Sequence, residues 1–285
     1  MALKKEKLIS KEKFLVTGII PCFNSQNTVG DTILSLKAQS VPLHEILIVD
    51  DGSTDRTADI AKSHDCRVIS FSKSRGRGFA RRVGIDEAST PFVLFCDSSN
   101  IIDPKFLEIA LHSFTDQSVS ACFGRILNHE SLNDSLSRWR GRHLFKENNQ
   151  ERFDLHTVDC LITYATLVKK DHFINAGNFD PNLRQCEDQD MGDKLIKGGY
   201  TLVSNPQLMA YSLRKESLKS LCIRYHRWNS RYNESQNLLN FFWNTFRECY
   251  LIFARKDFKQ KDYKCMLISA CLPLYLVWLR LIFKL

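Results

Sequence analysis

The 285-residue sequence holds ten cysteines but no CxxC pair. Most of them sit in apolar runs, so they read as reduced core residues of a cytosolic protein, not as a zinc site or a disulfide framework. The N-terminus, MALKKEKLISKEKF, is basic but lacks an apolar segment, which argues against a secretory signal. There is no low-complexity tract and no internal repeat. The segment IIPCFNSQNTVG, which follows the first apolar run, lacks the glycine-rich phosphate loop expected of a nucleotidyltransferase. The basic stretch SKSRGRGFARR has no interleaved aromatics for base stacking, so nucleic acid is not an expected partner. At FCDSSN, where another apolar run ends, one aspartate stands where a metal-holding pair would need two.

What is present is an ordinary globular composition, 44% hydrophobic and 25% charged, with a formal net charge of +8. The positive balance favours anionic partners such as a nucleotide diphosphate or a lipid surface. The length allows one large domain or one domain with an appendage. Apolar runs at 14–20, 44–51, 66–71 and 90–97 read as strands. Between and after them, 24–40, 52–64, 76–89 and 103–114 read as helices, the second capped by Ser53 or Thr54. Strand alternating with helix at this spacing predicts a parallel sheet with right-handed crossovers. In such sheets ligands lie at the carboxyl ends of the strands. Asn24, Asp50, Asp51, the loop 72–77 and Asp97 are therefore expected to converge on one cleft. Further on, TVDCLITYATLVKK (157–170) reads as a long strand. CEDQDMGDKLIKGGY reads as a short helix closed by Gly198 and Gly199. TLVSNPQL reads as a short edge strand, where Pro206 is tolerated. From about Lys215 onward the pattern is helical.

Four stretches carry chemistry. VDDGSTD places two carboxylates at a strand end, then a glycine turn and a helix start. One carboxylate can accept from a base N–H or a ribose hydroxyl, while Gly52 lets a ligand approach the backbone. The plainer reading is that Asp51 opens a turn and Asp55 caps the helix. SKSRGRGFARR gathers Lys73, Arg75, Arg77, Arg81 and Arg82 near a helix start, a setting that suits a diphosphate. Arg75 and Arg77 are placed ahead of Arg81 and Arg82, which lie further into the helix; a solvated basic face is the alternative. CEDQD brings Glu187, Asp188 and Asp190 together, so that mutual repulsion can raise one carboxyl into the range of a general base. The alternative is compensation of the helix dipole. RYHRW offers Arg224 and Arg227 to a phosphate and Trp228 to a sugar or to the core.

Together and in this order, IIPCFN, VDDGSTD, GFARRVGIDEAS, FCDSSN, GNFDP, CEDQD and RYHRW resemble an inverting glycosyltransferase of family two. The likeness runs from about Phe14 to Trp228. It implies the α/β GT-A fold, a Rossmann-like nucleotide-diphospho-sugar transferase with a mainly parallel central sheet, here followed by a C-terminal helical appendage. The expected parts are a basic tail over 1–13, the GT-A domain over 14–215 and the helical region over 216–285. The resemblance implies that Asp51, with Asp50, holds the uracil or equivalent base and that Phe23 stacks near it. Asp97 would touch ribose or diphosphate. Asp188 would be the general base, supported by Glu187, and Arg227 with Trp228 would close over the diphosphate. The reaction implied is a single displacement from a nucleotide-diphospho-sugar donor, a UDP-sugar by expectation, to an unidentified acceptor hydroxyl.

The departures concern the metal. The resemblance implies Mg²⁺ or Mn²⁺ at Asp97, but Ser99 occupies the position of the second aspartate and is a neutral, poor ligand for a hard cation. Asn100 offers only an uncharged carbonyl oxygen, and Arg224 stands where glutamine is common. The expectation is that Arg75, Arg77, Arg224 and Arg227 neutralise the leaving group partly or wholly in place of a metal. The competing reading is a catalytically silent nucleotide-sugar-binding or scaffold protein of the same fold.

Residues 236–285 are rich in aromatics and apolar residues, and Arg255, Lys256, Lys259, Lys261 and Lys264 interrupt them. Cys265–Phe283 is close to the roughly 20 residues that cross a bilayer, although Pro273 would kink it. Attachment to the cytoplasmic face of a membrane, a span, and packing on the protein itself are the three readings of this segment.

Overall fold

A computed structural model describes residues 14–147, 154–228 and 238–283. The chain divides into two units. The first comprises residues up to 125 together with 152–211, and the second comprises 126–151 with 212–285. The grouping of 126–151 with the C-terminal helices has no signature in the sequence pattern.

In the first unit, alternation of apolar runs with amphipathic segments produces β1 (Val16–Cys22), α1 (Val29–Lys37), β2 (Glu45–Asp50), α2 (Thr57–Ser63), β3 (Arg67–Ser70), α3 (Arg77–Glu87) and β4 (Phe92–Cys96). β1 pairs in parallel with both β2 and β4, and β2 pairs in parallel with β3. The sheet continues through β5 (Asn100–Ile102), β6 (Val119–Asn128), β7 (His156–Val158), β8 (Ala165–Lys169) and β9 (Thr201–Ser212). The strand order is β3-β2-β1-β4-β8-β6-β9-β5, with β7 beside β9. The unit also contains α4 (Phe106–His112), α6 (Lys170–Asn175) and α7 (Glu187–Lys197). The fold class is α/β, as the alternation requires.

β1, β2 and β4 are buried along almost their whole length, which suits a sheet covered on both faces. Ile19, Leu47, Val49, Val93 and Phe95 pack with Ala80, Ile85, Phe173, Phe179 and Met191 in one apolar core. Burial of such side chains contributes about 1.5–3 kcal/mol each.

Three local expectations need correction. The stretch 157–170 is two strands: β7 pairs with β9, whereas β8 pairs antiparallel with β4. A bend separates them, and Thr166 Oγ1 donates back to the carbonyl of Ile162. The segment from Thr201 is a 12-residue strand with neighbours on both sides, not a short edge strand. Next to Pro206, the Asn205 carboxamide accepts from the Gln207 N–H at 3.0 Å, so a side chain satisfies a backbone group within the strand. α2 begins at Thr57, later than Ser53 or Thr54, because Asp55 accepts from the Thr57 N–H at 3.0 Å.

The second unit is built round α5 (Ser135–His143), which Asp134 caps by accepting from Leu136 N and Ser137 N. It also contains α8 (Leu218–Trp228), α9 (Leu238–Arg247), a π-helical turn (Glu248–Ala254), α10 (Arg255–Lys259) and α11 (Tyr263–Phe283). Trp139 is fully buried and its indole N–H donates to Ser269 Oγ at 2.8 Å. Ser269 donates in turn to Asp257 Oδ2 at 2.8 Å, and Arg142 and His143 engage Asp257 Oδ1. A buried carboxylate thus has partners on both oxygens, Arg142 and His143 on one and Ser269 on the other, as burial demands.

α11 is apolar on two sides. Cys265, Ser269, Leu272 and Leu276 face the unit's own core, while Leu267, Leu274, Trp278 and Leu281 are exposed. Among the described residues no helix is long and apolar enough to cross a membrane.

Candidate active site

The parallel register determines where the site forms. Cys22 is level with Asp50, Asp50 with Ser70, and Ile19 with Phe95, so β1 to β4 end along one edge of the sheet. Phe23, Asp51, the loop after Ser70 and Asp97 follow those ends directly. Hydrogen bonds join the first two turns. Asn24, at φ +49°, donates its N–H to Ser53 Oγ at 2.9 Å and accepts from Thr54 N at 2.9 Å. Ser25 N donates to Thr57 Oγ1 at 2.8 Å, and Ser25 Oγ lies 2.7 Å from Ser98 Oγ.

Asp50 and Asp51 are both buried. Asp50 accepts from the Ser53 N–H at 3.1 Å. Asp51 accepts from Arg75 N at 2.8 Å, Gly76 N at 2.8 Å and Ser74 Oγ at 2.7 Å. Its carboxylate therefore holds the loop that leads into α3, and a direct contact with a base would have to share these bonds. Gly52, at φ +81°, is required here, since a Cβ would lie 2.6 Å from the carbonyl carbon of Lys73. Phe23 is about half exposed at 52%, available for stacking.

The arginines of α3 and of the loop before it, grouped together in the sequence, take different places. The Arg75 guanidinium lies over the Phe79 ring, 3.6 Å from its centroid, and the residue is exposed. Arg82 turns away and donates to the Phe179 carbonyl at 3.0 Å. Arg81, ranked low, is buried and bridges two carboxylates. Its Nη2 is 2.8 Å from Asp97 Oδ1 and its Nη1 is 2.6 Å from Glu187 Oε1. Arg77 Nε stands 3.4 Å from the same Glu187 oxygen while its side chain stays 46% exposed. The signal in the sequence was the spacing: Arg77 and Arg81 are four residues apart and so share a helix face.

Glu187 and Asp188 open α7, with Cys186 at φ +57° as its N-cap. Burial raises the Asp188 carboxyl above its ordinary value, and the Glu187 charge adds to this. Arg81, Arg77 and the Gln189 N–H oppose the shift without cancelling it. Such a carboxyl is suited to taking a proton.

The remaining candidates lie in the second unit. Arg224 Nε is 2.8 Å from Glu216 Oε1, which also pairs with Arg140 Nη1 at 3.1 Å. Trp228 is half exposed, its ring tilted over Phe145 at 5.9 Å. The side chain of Arg227 lies outside the described residues.

The family model described as Glycosyl transferase family 2 matches residues 17–175, more than half of the chain. The chain belongs to glycosyl transferase family 2. It is 27% identical over 250 residues to the poly-beta-1,6-N-acetyl-D-glucosamine synthase of Staphylococcus epidermidis, covering 84% of this chain and 60% of that protein. The synthase of Staphylococcus aureus strain MSSA476 is likewise 27% identical, over 75% of this chain and 53% of its own length. The chain thus spans little more than half the length of the curated relatives it matches. Among solved structures, S. aureus TarS 1-349 in complex with UDP-GlcNAc superposes with a TM-score of 0.58 at 16% identity, covering 90% of this chain and 91% of that one. The mannosyltransferase PcManGT from Pyrobaculum calidifontis, in complex with GDP-Man and Mn²⁺, gives 0.59 at 16% identity, covering 78% and 65%. These likenesses establish the GT-A glycosyltransferase fold for this family member.

Donor chemistry at this glycosyltransferase's Asp97 does not fit a tightly held divalent ion. Arg81 already occupies Asp97 Oδ1, Ser99 is neutral, and the Asn100 amide Nδ2 donates to the Tyr164 carbonyl at 3.1 Å. Among the described residues no cluster of three or more His, Cys, Asp or Glu could hold a metal ion.

Proposed function

We propose that this glycosyltransferase moves a hexosyl group from a UDP-sugar to an acceptor hydroxyl in a single inverting displacement. The observation that carries the proposal is Asp188: a carboxyl raised by burial, beside Glu187, on the helix that Arg81 ties to Asp97. Similar solved structures in complex with UDP and with UDP-GlcNAc support the choice of nucleotide.

Phe23 stacks on the base, and Asp50 and Asp51 shape the nucleoside end by holding the turn and the 74–76 loop. Asp97, half exposed, accepts from a ribose hydroxyl. Arg77 and the first N–H groups of α3 face the pyrophosphate, where both a guanidinium and a helix start favour an anion. Arg224, Arg227 and Trp228 are assigned to the closing element of the donor site. Asp188 takes the proton of the acceptor hydroxyl as its oxygen attacks the anomeric carbon, and nucleoside diphosphate departs from the opposite face. The proton ends on Asp188 and the bond electrons on the leaving phosphate.

We assign to the second unit attachment to the cytoplasmic face of a membrane, which suits a membrane-borne acceptor. Exposed Trp243, Leu267, Leu274 and Trp278 supply the apolar contact, and the cationic stretch 255–264 supplies the charge.

Incubation with UDP-GlcNAc, UDP-glucose, UDP-galactose and GDP-mannose, with UDP or GDP release followed by chromatography, tests the donor. Release from the UDP-sugars alone is expected. The anomeric configuration of the product, read by proton NMR, tests inversion, and retained configuration rejects it.

A further inference from the structure

Arg81 is the most deeply buried guanidinium of the site, at 1% exposure, and the bridge it makes joins positions 16 and 106 residues away. Stability does not account for it well. Arg81 Nε and Glu187 Oε2 are buried without a hydrogen-bond partner. Replacing a buried ion pair by apolar side chains is often neutral or stabilising, so fold stability alone is a weak reason for this arrangement. Among the described residues no second carboxylate stands beside Asp97 to share a metal, and an uncompensated Asp97 would repel a pyrophosphate.

We propose, building on the base assignment to Asp188, that Arg81 is the positioning residue that serves as the site's built-in cation: it orients and neutralises Asp97 on the donor side and couples that carboxylate to Glu187 beside the base. A guanidinium is suited to this because its rigid fork can donate to two carboxylates at once, which a lysine ammonium cannot do with the same geometry. Arg81 does not reach solvent, so it acts through Asp97 and Glu187 and not on the sugar.

The charged groups acting on Asp188 are Glu187 from its own helix and Arg81 and Arg77 from α3. Asp97, at the end of β4, is linked to them through Arg81. Of these, Arg81 is the stronger influence opposing the rise of the Asp188 carboxyl. Its removal therefore has a directional signature: the acid limb of activity moves to higher pH.

The test uses the full chain with Arg81→Lys, Arg81→Met and the charge-balanced pair Arg81→Met with Glu187→Gln. UDP release from the active donor is followed from pH 4 to 9, in EDTA and in Mn²⁺, with calorimetric UDP binding alongside. Arg81→Met is expected to move the acid limb up by about one pH unit, as loss of a nearby opposite charge does. Arg81→Lys is expected to lose roughly 100-fold in kcat/KM through misplacement of the carboxylates. The paired variant, relieved of its unmatched buried charge, is expected to fold and to bind UDP more weakly than wild type. Wild-type UDP binding is expected to survive EDTA. An unmoved acid limb in folded Arg81→Met overturns the coupling, and wild-type UDP binding that vanishes in EDTA overturns the built-in cation. Neither result touches the base assignment, which stands or falls with Asp188→Asn.

Discussion

The Asp51 carboxylate accepts from the Gly76 main-chain N–H at 2.8 Å, across 25 residues. The bond ties the residue after β2 to Gly76, the N-cap of α3. Because α3 carries Arg77 and Arg81, a carboxylate at the nucleoside end helps to set the angle of the arginines at the other. Asp51→Ala removes three hydrogen bonds to a charged acceptor, each worth about 1.5–3 kcal/mol in isolation but not additive. A loss of about 2–4 kcal/mol in urea unfolding is expected, with weaker UDP binding by calorimetry. A variant of unchanged stability would show that the loop holds its shape without Asp51.

Asp188→Asn keeps the shape of the base and removes its proton affinity. UDP release with acceptor present is expected to fall by about 10²–10⁴, while UDP binding stays near wild type. In the wild type, the acid limb of kcat/KM is expected above the ordinary carboxylate range, because burial and Glu187 raise the Asp188 carboxyl. A limb in the ordinary range would assign the proton transfer to another group.

Gly78 permits the close approach of α3 to the chain preceding α7. A Cβ there would lie 2.7 Å from the carbonyl oxygens of Asp180 and Leu183 and 3.2 Å from Glu187 Cβ. Gly78→Ala is expected to cost about 1–3 kcal/mol, as overpacking does, and to reduce kcat more than UDP affinity. Thermal melts and steady-state kinetics on the same preparation measure both.

Acid should loosen the second unit. Burial by itself raises the Asp257 carboxyl, but the bonds from His143 and Arg142 outweigh that and hold it below the ordinary range. The native state thus binds fewer protons than the unfolded chain. Stability from this group is complete above the ordinary aspartate range and is lost as pH falls through the depressed native value. Asp257→Asn is expected to flatten the pH dependence of melting between about pH 5 and 3. An unchanged slope would assign the acid sensitivity elsewhere.

The exposed row on α11 predicts binding to anionic lipid. Full-length protein is expected to float with vesicles of phosphatidylcholine and phosphatidylglycerol, and weakly with phosphatidylcholine alone. Leu274→Glu with Trp278→Glu is expected to abolish flotation without changing UDP binding. Flotation that persists in this variant rejects the α11 face.

Sequence and tertiary structure contributed differently to this molecule. The α/β alternation, the acids at the end of β2 and the acidic opening of α7 follow from local pattern, because hydrophobic period and turn chemistry act over a few residues. The likeness to family two was legible for the same reason: its short motifs each occupy one strand end or helix start. The split of 157–170 into two strands and the interior place of β9, between β6 and β5, were not legible, since strand pairing is set by distant partners. The same holds at the site. That Arg81 and not Arg75 meets Asp97 and Glu187 depends on how α3 lies against α7 and on Phe79 holding Arg75. Side-chain identity supplied the charges. Only the packing of elements 16 and 106 residues apart decided which charges meet, because that is where desolvation makes their pairing matter.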